Sequence, residues 1–470
     1  MNTKHLLAAI SAVLLIALLV GGCKDTTPSG PNATFGNLNI KSYVSIGNSI
    51  TAGYQSNGLY ESAQMYSYPN LLTQQLNISG SSVNFVQPLW SDPGTPYSAT
   101  LNFPARYVIL GWSGGKPVIG PNTTVAAGSP ENLTYAAPYN NLAVPGAFIY
   151  DFLNAKDANT CYSALGGSPN ALFTSTLRGL GTQFQQLKVL KPELVTFWLG
   201  NNDVLGYATS GGKVPSTAIA TFTVLYKQAL DSLRAAVGAN TPILVANIPD
   251  VTTIPFVKTI PSQGLVLSQG QADALNTATG GVFQFTAGVN GFLAFTGTGT
   301  VRKLTAKDYV LLTCPQDSLI NAGWGSIKPI PNQYVLDTAE VSYAKAQVTG
   351  YNAAIAAQAT SHSALLVDVN SVLVQVDTKG YAVAGEVLTS AYVSGGAFSL
   401  DGVHPSNKGQ GLIANAFIKV MNSKLATQIP YVDIANMPGI ASPVARVSIG
   451  GQSIPYVSPE FMKNAQLNLW

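Results

Sequence analysis

The 470-residue chain is short of three things that chemistry often calls on: histidine, cysteine and charge. It has three histidines, His5, His362 and His404, and His5 belongs to an apolar N-terminal leader. The two that remain exclude metal sites built on paired histidines, such as an H-E-x-x-H helix, and no metal or other cofactor is expected. Charged residues make up 10% of the chain, with a net charge of +3 that falls by one when the leader's Lys4 is removed. No basic block offers a nucleic-acid surface and no acidic run forms a tail. The length allows one large domain or two ordinary ones.

The third scarcity, cysteine, is informative by position. Residues 1–22 carry Lys4 and His5 ahead of an apolar core from Leu6 to Val20, too short to span a membrane and suited to a signal peptide. The core runs into Val20-Gly21-Gly22-Cys23, small residues before a cysteine. This resembles a bacterial lipobox, which implies cleavage before Cys23 and acylation of that residue. Stable attachment takes more than one acyl chain, and a lipoprotein cysteine carries three. Residues 23–38, rich in Thr, Pro, Ser, Gly and Asn, read as a lipidated flexible tether. Cys161 and Cys314 are then the only other cysteines, and an even pair in an exported protein permits a disulfide.

From residue 39 to 430, short apolar runs alternate with helical patterns. Buried strands are expected at Tyr43–Ile46, Val83–Val86, Leu194–Leu199, Ile243–Ala246 and Leu365–Val369, with a short strand ending in a glycine turn within Asn140–Ala147. Helices are expected at about Tyr68–Leu76, Ser175–Leu190, Ser216–Val237, Thr338–Thr360 and Ser406–Leu425, the last begun by a serine cap. The alternation implies an α/β fold with a mostly parallel central sheet and helices on both faces. Residues 89–135 and 257–333 read as irregular insertions, and 431–470 as an extended tail packing on the domain. Gly111-Trp112-Ser113-Gly114-Gly115 matches G-x-S-x-G in form. A nucleophile elbow needs a helix after its serine, and Lys116-Pro117-Val118-Ile119-Gly120-Pro121 begins a helix poorly; Ser113 is read as a decoy.

A different serine stands out. Tyr43–Ile46 breaks at Gly47-Asn48 and delivers Ser49 past a strand end, where open α/β sheets bind ligands. A serine in a turn is ordinary, unless a base and an orienting acid accompany it. In Asp401-Gly402-Val403-His404 a carboxylate three residues before a histidine lets one loop present an imidazole with the acid that fixes its tautomer. His362, at a helix end without such a partner, is assigned a structural role. Gly146 and Asn202 each follow a buried run, where a backbone N–H or a side-chain amide can face the same crevice.

Taken in order, Gly47-Asn48-Ser49, Gly146, Gly200-Asn201-Asn202-Asp203 and Asp401-Gly402-Val403-His404 resemble the four blocks of the SGNH, or GDSL, hydrolase superfamily. Asn48 departs from the family's commoner aspartate and spares the nucleophile. The resemblance implies a flavodoxin-like three-layer sandwich and ester hydrolysis by Ser49, His404 and Asp401. An oxyanion hole would come from the N–H groups of Ser49 and Gly146 and the amide of Asn202. The layout looks like lipid-anchored members from Gram-negative bacteria, which implies a cell-envelope location, the outer membrane foremost. The expected partners are a small-molecule, lipid or glycan ester and the membrane through the anchor, with the protein a monomer. The main rival is a non-catalytic glycan- or protein-binding lipoprotein on the same scaffold, with Tyr97, Phe103, Tyr107 and Trp112 as stacking surfaces. A phosphate-ester hydrolase would need metal ligands or a basic clamp, and neither lies near the four blocks.

Overall fold

The computed structural model describes residues 34, 40–95, 106–113, 116–121, 128–383, 385–439, 446–449 and 452–455. Its centre is a parallel sheet of four strands: β1 (Tyr43–Gly47), β2 (Leu194–Trp198), β3 (Ile243–Ala246) and β4 (Leu365–Val367), adjacent in that order. Tyr43 lies opposite Leu194, Phe197 opposite Val245 and Val367 opposite Ala246. Parallel strands joined by helices are covered on both faces, and β1, β2 and β3 are buried at every position. That is why they read as apolar runs interrupted only by the small polar Ser45 and Thr196.

The helices that follow the strands fall into two packed groups. In the first, α2 (Tyr68–Ile78), α7 (Val369–Thr378) and α8 (Asn407–Lys424) pack together, with Tyr68 stacked on Phe417 at 4.7 Å between ring centroids. In the second, α3 (Gln183–Leu190), α5 (Ile219–Val237) and α6 (Thr338–Ser361) pack together, with Phe222 stacked on Tyr351 at 4.1 Å. The predicted starts of α6 and α8 hold: Asp337 and Glu340 form a capping box, and the Ser406 hydroxyl accepts from the Gly409 N–H. Among the described residues no helix is long and apolar enough to cross a membrane.

Several expectations need correction. Val83–Val86 is not a ladder strand; its Val86 carbonyl accepts from the Asn140 and Asn141 N–H groups. The stretch at 140–144 runs beside β1 with a single parallel bridge, Ser45 to Asn141, and so extends the sheet's edge without a full strand. The helix expected over 175–190 is two, Ala171–Leu177 and α3, because Arg178, Gly179 and Gly181 all take left-handed backbone angles. Residues 257–333 are not irregular. They hold a ten-residue helix, Gln269–Ala278, and hairpins with strands of two or three residues around two small apolar clusters. Strands so short carry no readable period.

The disulfide is also corrected. Cys161 and Cys314 are free thiols; Cys161 belongs to the main core, while Cys314 belongs to a cluster with Ile260, Phe292 and Val310. At the chain ends, the Thr34 backbone exchanges two hydrogen bonds with Gln428 (2.8 and 3.3 Å), so the stretch read as a tether meets the fold there. The start of the expected tail packs on α8: Val432, Ile434 and Met437 are buried, and the Asn415 side chain bonds the Val432 backbone in both directions. The signal peptide, Cys23 and most of the tether and tail lie outside the described residues.

A protein beginning at Leu38 should titrate two thiols in denaturant and react slowly when native, both cysteines being buried. A mass increase of two protons per chain on reduction would contradict the free-thiol assignment.

Candidate functional site

Ser49 opens a single helical turn, α1 (Ser49–Ala52), immediately past the end of β1. The chain can turn there because Gly47 has no Cβ: one built at Gly47 would lie 2.0 Å from Thr51 Oγ1. Asn48 is the N-cap of this turn, its Oδ1 accepting from the Ile50 N–H. The serine side chain is thereby held against the loop that carries the histidine.

That loop, residues 398–405, folds back on itself. Phe398 bridges Pro405, and the Ser399 N–H donates to the His404 carbonyl at 2.8 Å. His404 Nε2 lies 2.9 Å from Ser49 Oγ and its Nδ1 lies 3.0 Å from Asp401 Oδ2. All three residues are buried. Asp401 Oδ1 accepts from the backbone N–H groups of Val403 and His404, each at 2.8 Å, and Oδ2 accepts from the Asn57 N–H at 2.9 Å. Burial pushes the Asp401 carboxyl up, but the neighbouring His404 and these donors outweigh it, and its pKa lies below the usual carboxylate range. An ionised carboxylate only accepts, so His404 Nδ1 is the protonated nitrogen. In the neutral ring Nε2 then offers its lone pair to the serine hydroxyl, as a general base requires.

A further layer of contacts holds this geometry, and sequence reasoning missed it. Ser56 and Asn57 both have positive φ, at the centre of a tight turn in which Gln55 and Gly58 exchange backbone hydrogen bonds. The turn presents the Asn57 N–H to Asp401, while the Ser56 N–H donates to Ser399 Oγ at 2.9 Å. The Tyr54 ring lies 4.8 Å from the His404 ring, and its hydroxyl donates to Asn57 Oδ1 at 3.1 Å. Gln-Ser-Asn-Gly is a legible turn, since Asn and Gly favour left-handed angles; its contact with residue 401 is not legible. Burial, with the Asp401 charge adding to it, raises the hydroxyls of Tyr54, Tyr107 and Tyr392 well above their ordinary value and keeps them neutral around the carboxylate.

The remaining predicted residues meet at the same end of the sheet. The Asn202 amide donates to the Ala147 carbonyl at 2.8 Å, tying the loop after Gly146 to the start of α4 (Asn202–Thr209) and leaving one amide N–H uncommitted. Gly146 has φ +83°, and a Cβ there would lie 2.7 Å from Asn170 Nδ2. Beneath them Asp203 is fully buried, accepting from the Ile149 N–H at 3.0 Å and the Thr217 hydroxyl at 2.8 Å. Asp151 accepts from the Phe148 and Tyr162 N–H groups. Burial raises both of these carboxyls to about 7, against their partners' opposing pull.

The decoy is a hairpin. Ser113 ends a strand (Tyr107–Ser113) paired antiparallel with Lys116–Pro121, so no helix follows it. Of the aromatics in that insertion, Tyr97 and Phe103 lie outside the described residues and Tyr107 is buried, so Tyr107 is no stacking surface. The Tyr107 N–H donates to the Ser56 carbonyl, which docks the insertion on the turn that supports Asp401. His362 does have a carboxylate partner, supplied from outside its own segment: its Nδ1 lies 2.8 Å from the Gln358 carbonyl and its Nε2 2.8 Å from Asp231 on α5, so it joins two helices. Among the described residues no group of His, Cys, Asp and Glu is arranged to hold a metal ion.

A family model described as GDSL-like Lipase/Acylhydrolase matches residues 43–417. Among solved structures, a GDSL-like lipase candidate from Parabacteroides merdae is 12% identical with a TM-score of 0.34, the match covering 82% of this chain and 99% of that one. A family 3 carbohydrate esterase from Clostridium thermocellum is 13% identical with a TM-score of 0.33, over 84% of this chain and all of that one. An extracellular lipase from Streptomyces rimosus is 14% identical with a TM-score of 0.32, over 82% and 99%. These overlays are weak. No curated protein matches the chain.

Two outcomes follow from this geometry. Tyr54→Phe keeps the ring against His404 and removes one buried hydrogen bond, so denaturant unfolding should show a loss of about 1 kcal/mol; an unchanged midpoint would mean that the hydroxyl contributes nothing. Asp203 and Asp151 hold protons in the folded state, with values of about 7, that carboxyls of ordinary value 3.8 have lost when unfolded. Their contribution to stability is therefore present below pH ~4 and is lost as pH rises to about 7. Melting temperature should fall between pH 5 and 7.5 more steeply in the wild type than in Asp203→Asn, and parallel slopes would rule the effect out.

Proposed function

The chain belongs to the GDSL-like lipase/acylhydrolase family and is a carboxylic ester hydrolase, and we propose that it acts through Ser49, His404 and Asp401 by way of an acyl-enzyme. The observation that carries this reading is the unbroken chain from Ser49 Oγ to His404 Nε2 (2.9 Å) and from His404 Nδ1 to Asp401 (3.0 Å). Ser49 Oγ attacks the ester carbonyl while its proton passes to Nε2. The imidazolium then returns that proton to the alcohol oxygen as the C–O bond breaks. Water, deprotonated by the same nitrogen, attacks the acyl carbon and releases the acid and free Ser49. Asp401 stays ionised throughout, holding the ring and stabilising its charged form.

The tetrahedral oxyanion is held by the N–H groups of Ser49 and Gly146 and the amide N–H of Asn202 that the Ala147 carbonyl does not use. Such donors act on charge that appears only in the transition state, which is why they raise kcat. The substrate is a small-molecule, lipid or glycan ester, met by a monomer. On this reading residues 1–22 are a lipoprotein signal peptide, and Cys23 carries acyl chains that hold the enzyme on a Gram-negative outer membrane. What supports the anchor is the run of small residues into Cys23 behind an apolar core.

Hydrolysis of a p-nitrophenyl ester series, acetyl to palmitoyl, tests the mechanism. Activity should vanish in Ser49→Ala and persist in Ser113→Ala; activity indifferent to Ser49 would sink the assignment. Asn202→Ala should stay folded, giving up about 1 kcal/mol with the Ala147 hydrogen bond, and lose ~10²–10³ in kcat, the usual cost of one oxyanion donor. Unchanged turnover would remove Asn202 from the hole.

A further inference from the structure

Two of the oxyanion donors assigned above sit on different segments, Ser49 after β1 and Gly146 after the 140–144 stretch. Such donors act only when they converge to roughly 2.7–3.1 Å from one oxygen. The backbone sets part of their spacing: the Val144 N–H donates to the Gly47 carbonyl at 3.2 Å, and the Leu142 N–H to the Ser45 carbonyl at 3.0 Å.

One side chain spans both segments. Gln183, the first residue of α3, is fully buried, and its amide donates to the Gly47 carbonyl at 3.1 Å and the Leu142 carbonyl at 2.8 Å. Only the N–H₂ end can serve two carbonyls at once, so the orientation of the amide is fixed. The Gly47 carbonyl lies one peptide unit before the Ser49 N–H, and Leu142 lies four residues before Gly146. A capping box between Thr182 and Gln185 fixes the helical turn from which Gln183 reaches in.

The same helix carries a matched residue with other partners. Gln186 is also fully buried, and its amide donates to the Leu177 and Gly181 carbonyls at 3.0 and 3.1 Å, in the link between two helices. Each glutamine has an Oε1 without a hydrogen-bond partner among the described residues. Of the two, Gln183 alone touches the segments that carry the oxyanion donors.

We propose that Gln183 is a positioning residue for the reaction, clasping the two segments so that the Ser49 and Gly146 N–H groups converge on one oxyanion. The inference rests on the serine esterase reading above and deepens it, since the contacts of the triad leave that spacing unset. A misplacement of ~1 Å far from the chemistry can cost ~10²-fold in rate. The charge on that oxygen develops in the transition state, so the loss falls on kcat and spares KM.

Two methionine variants test this, each keeping an unbranched side chain and removing the amide. Gln183→Met and Gln186→Met should show similar falls in melting temperature, two buried hydrogen bonds going in each. On p-nitrophenyl butyrate, Gln183→Met should lose ~10–10²-fold in kcat with KM within about twofold of wild type. Gln186→Met should keep both constants within about twofold. Both half-reactions pass through an oxyanion, so kcat reports on the hole whichever is slower. Butylboronic acid, whose adduct on Ser49 mimics the tetrahedral state, should inhibit Gln183→Met more weakly by a similar factor. If Gln183→Met does not fold, Gln183→Asn, with an amide one methylene short of both carbonyls, carries the same comparison. Unchanged kcat at 183, equal kcat losses at 183 and 186, or a loss at 183 confined to KM would overturn the proposal and leave the esterase standing. Ester cleavage that survives Ser49→Ala would remove the mechanism beneath it and this inference together.

Discussion

The charge on Asp401 is the constraint that the rest of the site answers to. A carboxylate taken out of water is tolerable only when its lone pairs are met by donors, and one missing donor leaves a large penalty. Here four N–H groups meet it: two from its own loop, one from the Asn57 turn and one from His404. The demand explains features that look unrelated along the chain. Two successive non-glycine residues accept positive φ at 56 and 57 because that turn aims a donor at the carboxylate. The first insertion docks through the Tyr107 backbone onto the same turn, and the Tyr107 side chain is buried there.

The sheet performs a different task, which is to bring distant residues to one edge. Ser49 follows β1, Asn202 follows β2 and the Asn247–Asp250 segment follows β3, while the 398–405 loop crosses in front of them. Helices packed on both faces hold these strand ends rigid, and the ends themselves are loops free to vary. Catalytic groups on loops over a rigid scaffold are the usual outcome of that division. The buried carboxyls of Asp203 and Asp151 extend it by fixing the loop after Gly146 from below, through backbone N–H groups.

Much of this is legible in the order of residues alone. Strands β1, β2 and β3 are apolar runs broken only by Ser45 and Thr196 because both faces of a parallel sheet are covered, and α6 and α8 announce their starts through capping residues. Ser113 can be dismissed on the proline and glycine that follow it. What is not legible has a physical cause in each case. The hairpins of 257–333 use strands of two or three residues, too short for alternation to register. Val83–Val86 has strand composition, but it serves as a support for the 140–144 stretch, and composition does not report which backbone groups find partners.

By itself the sequence determined the four strands of the central sheet and its long helices, the identity of the four blocks and the pairing of Asp401 with His404, because each of these is local. A strand's burial, a helix cap and a carboxylate three residues from an imidazole are all written within a few positions. Only the tertiary structure decided that Cys161 and Cys314 lie in separate clusters, that the turn at 55–58 supports residue 401, and that Asn201 is buried without a hydrogen-bond partner among the described residues. Those facts depend on which distant segments meet, and contact across 344 residues is set by packing of the whole core.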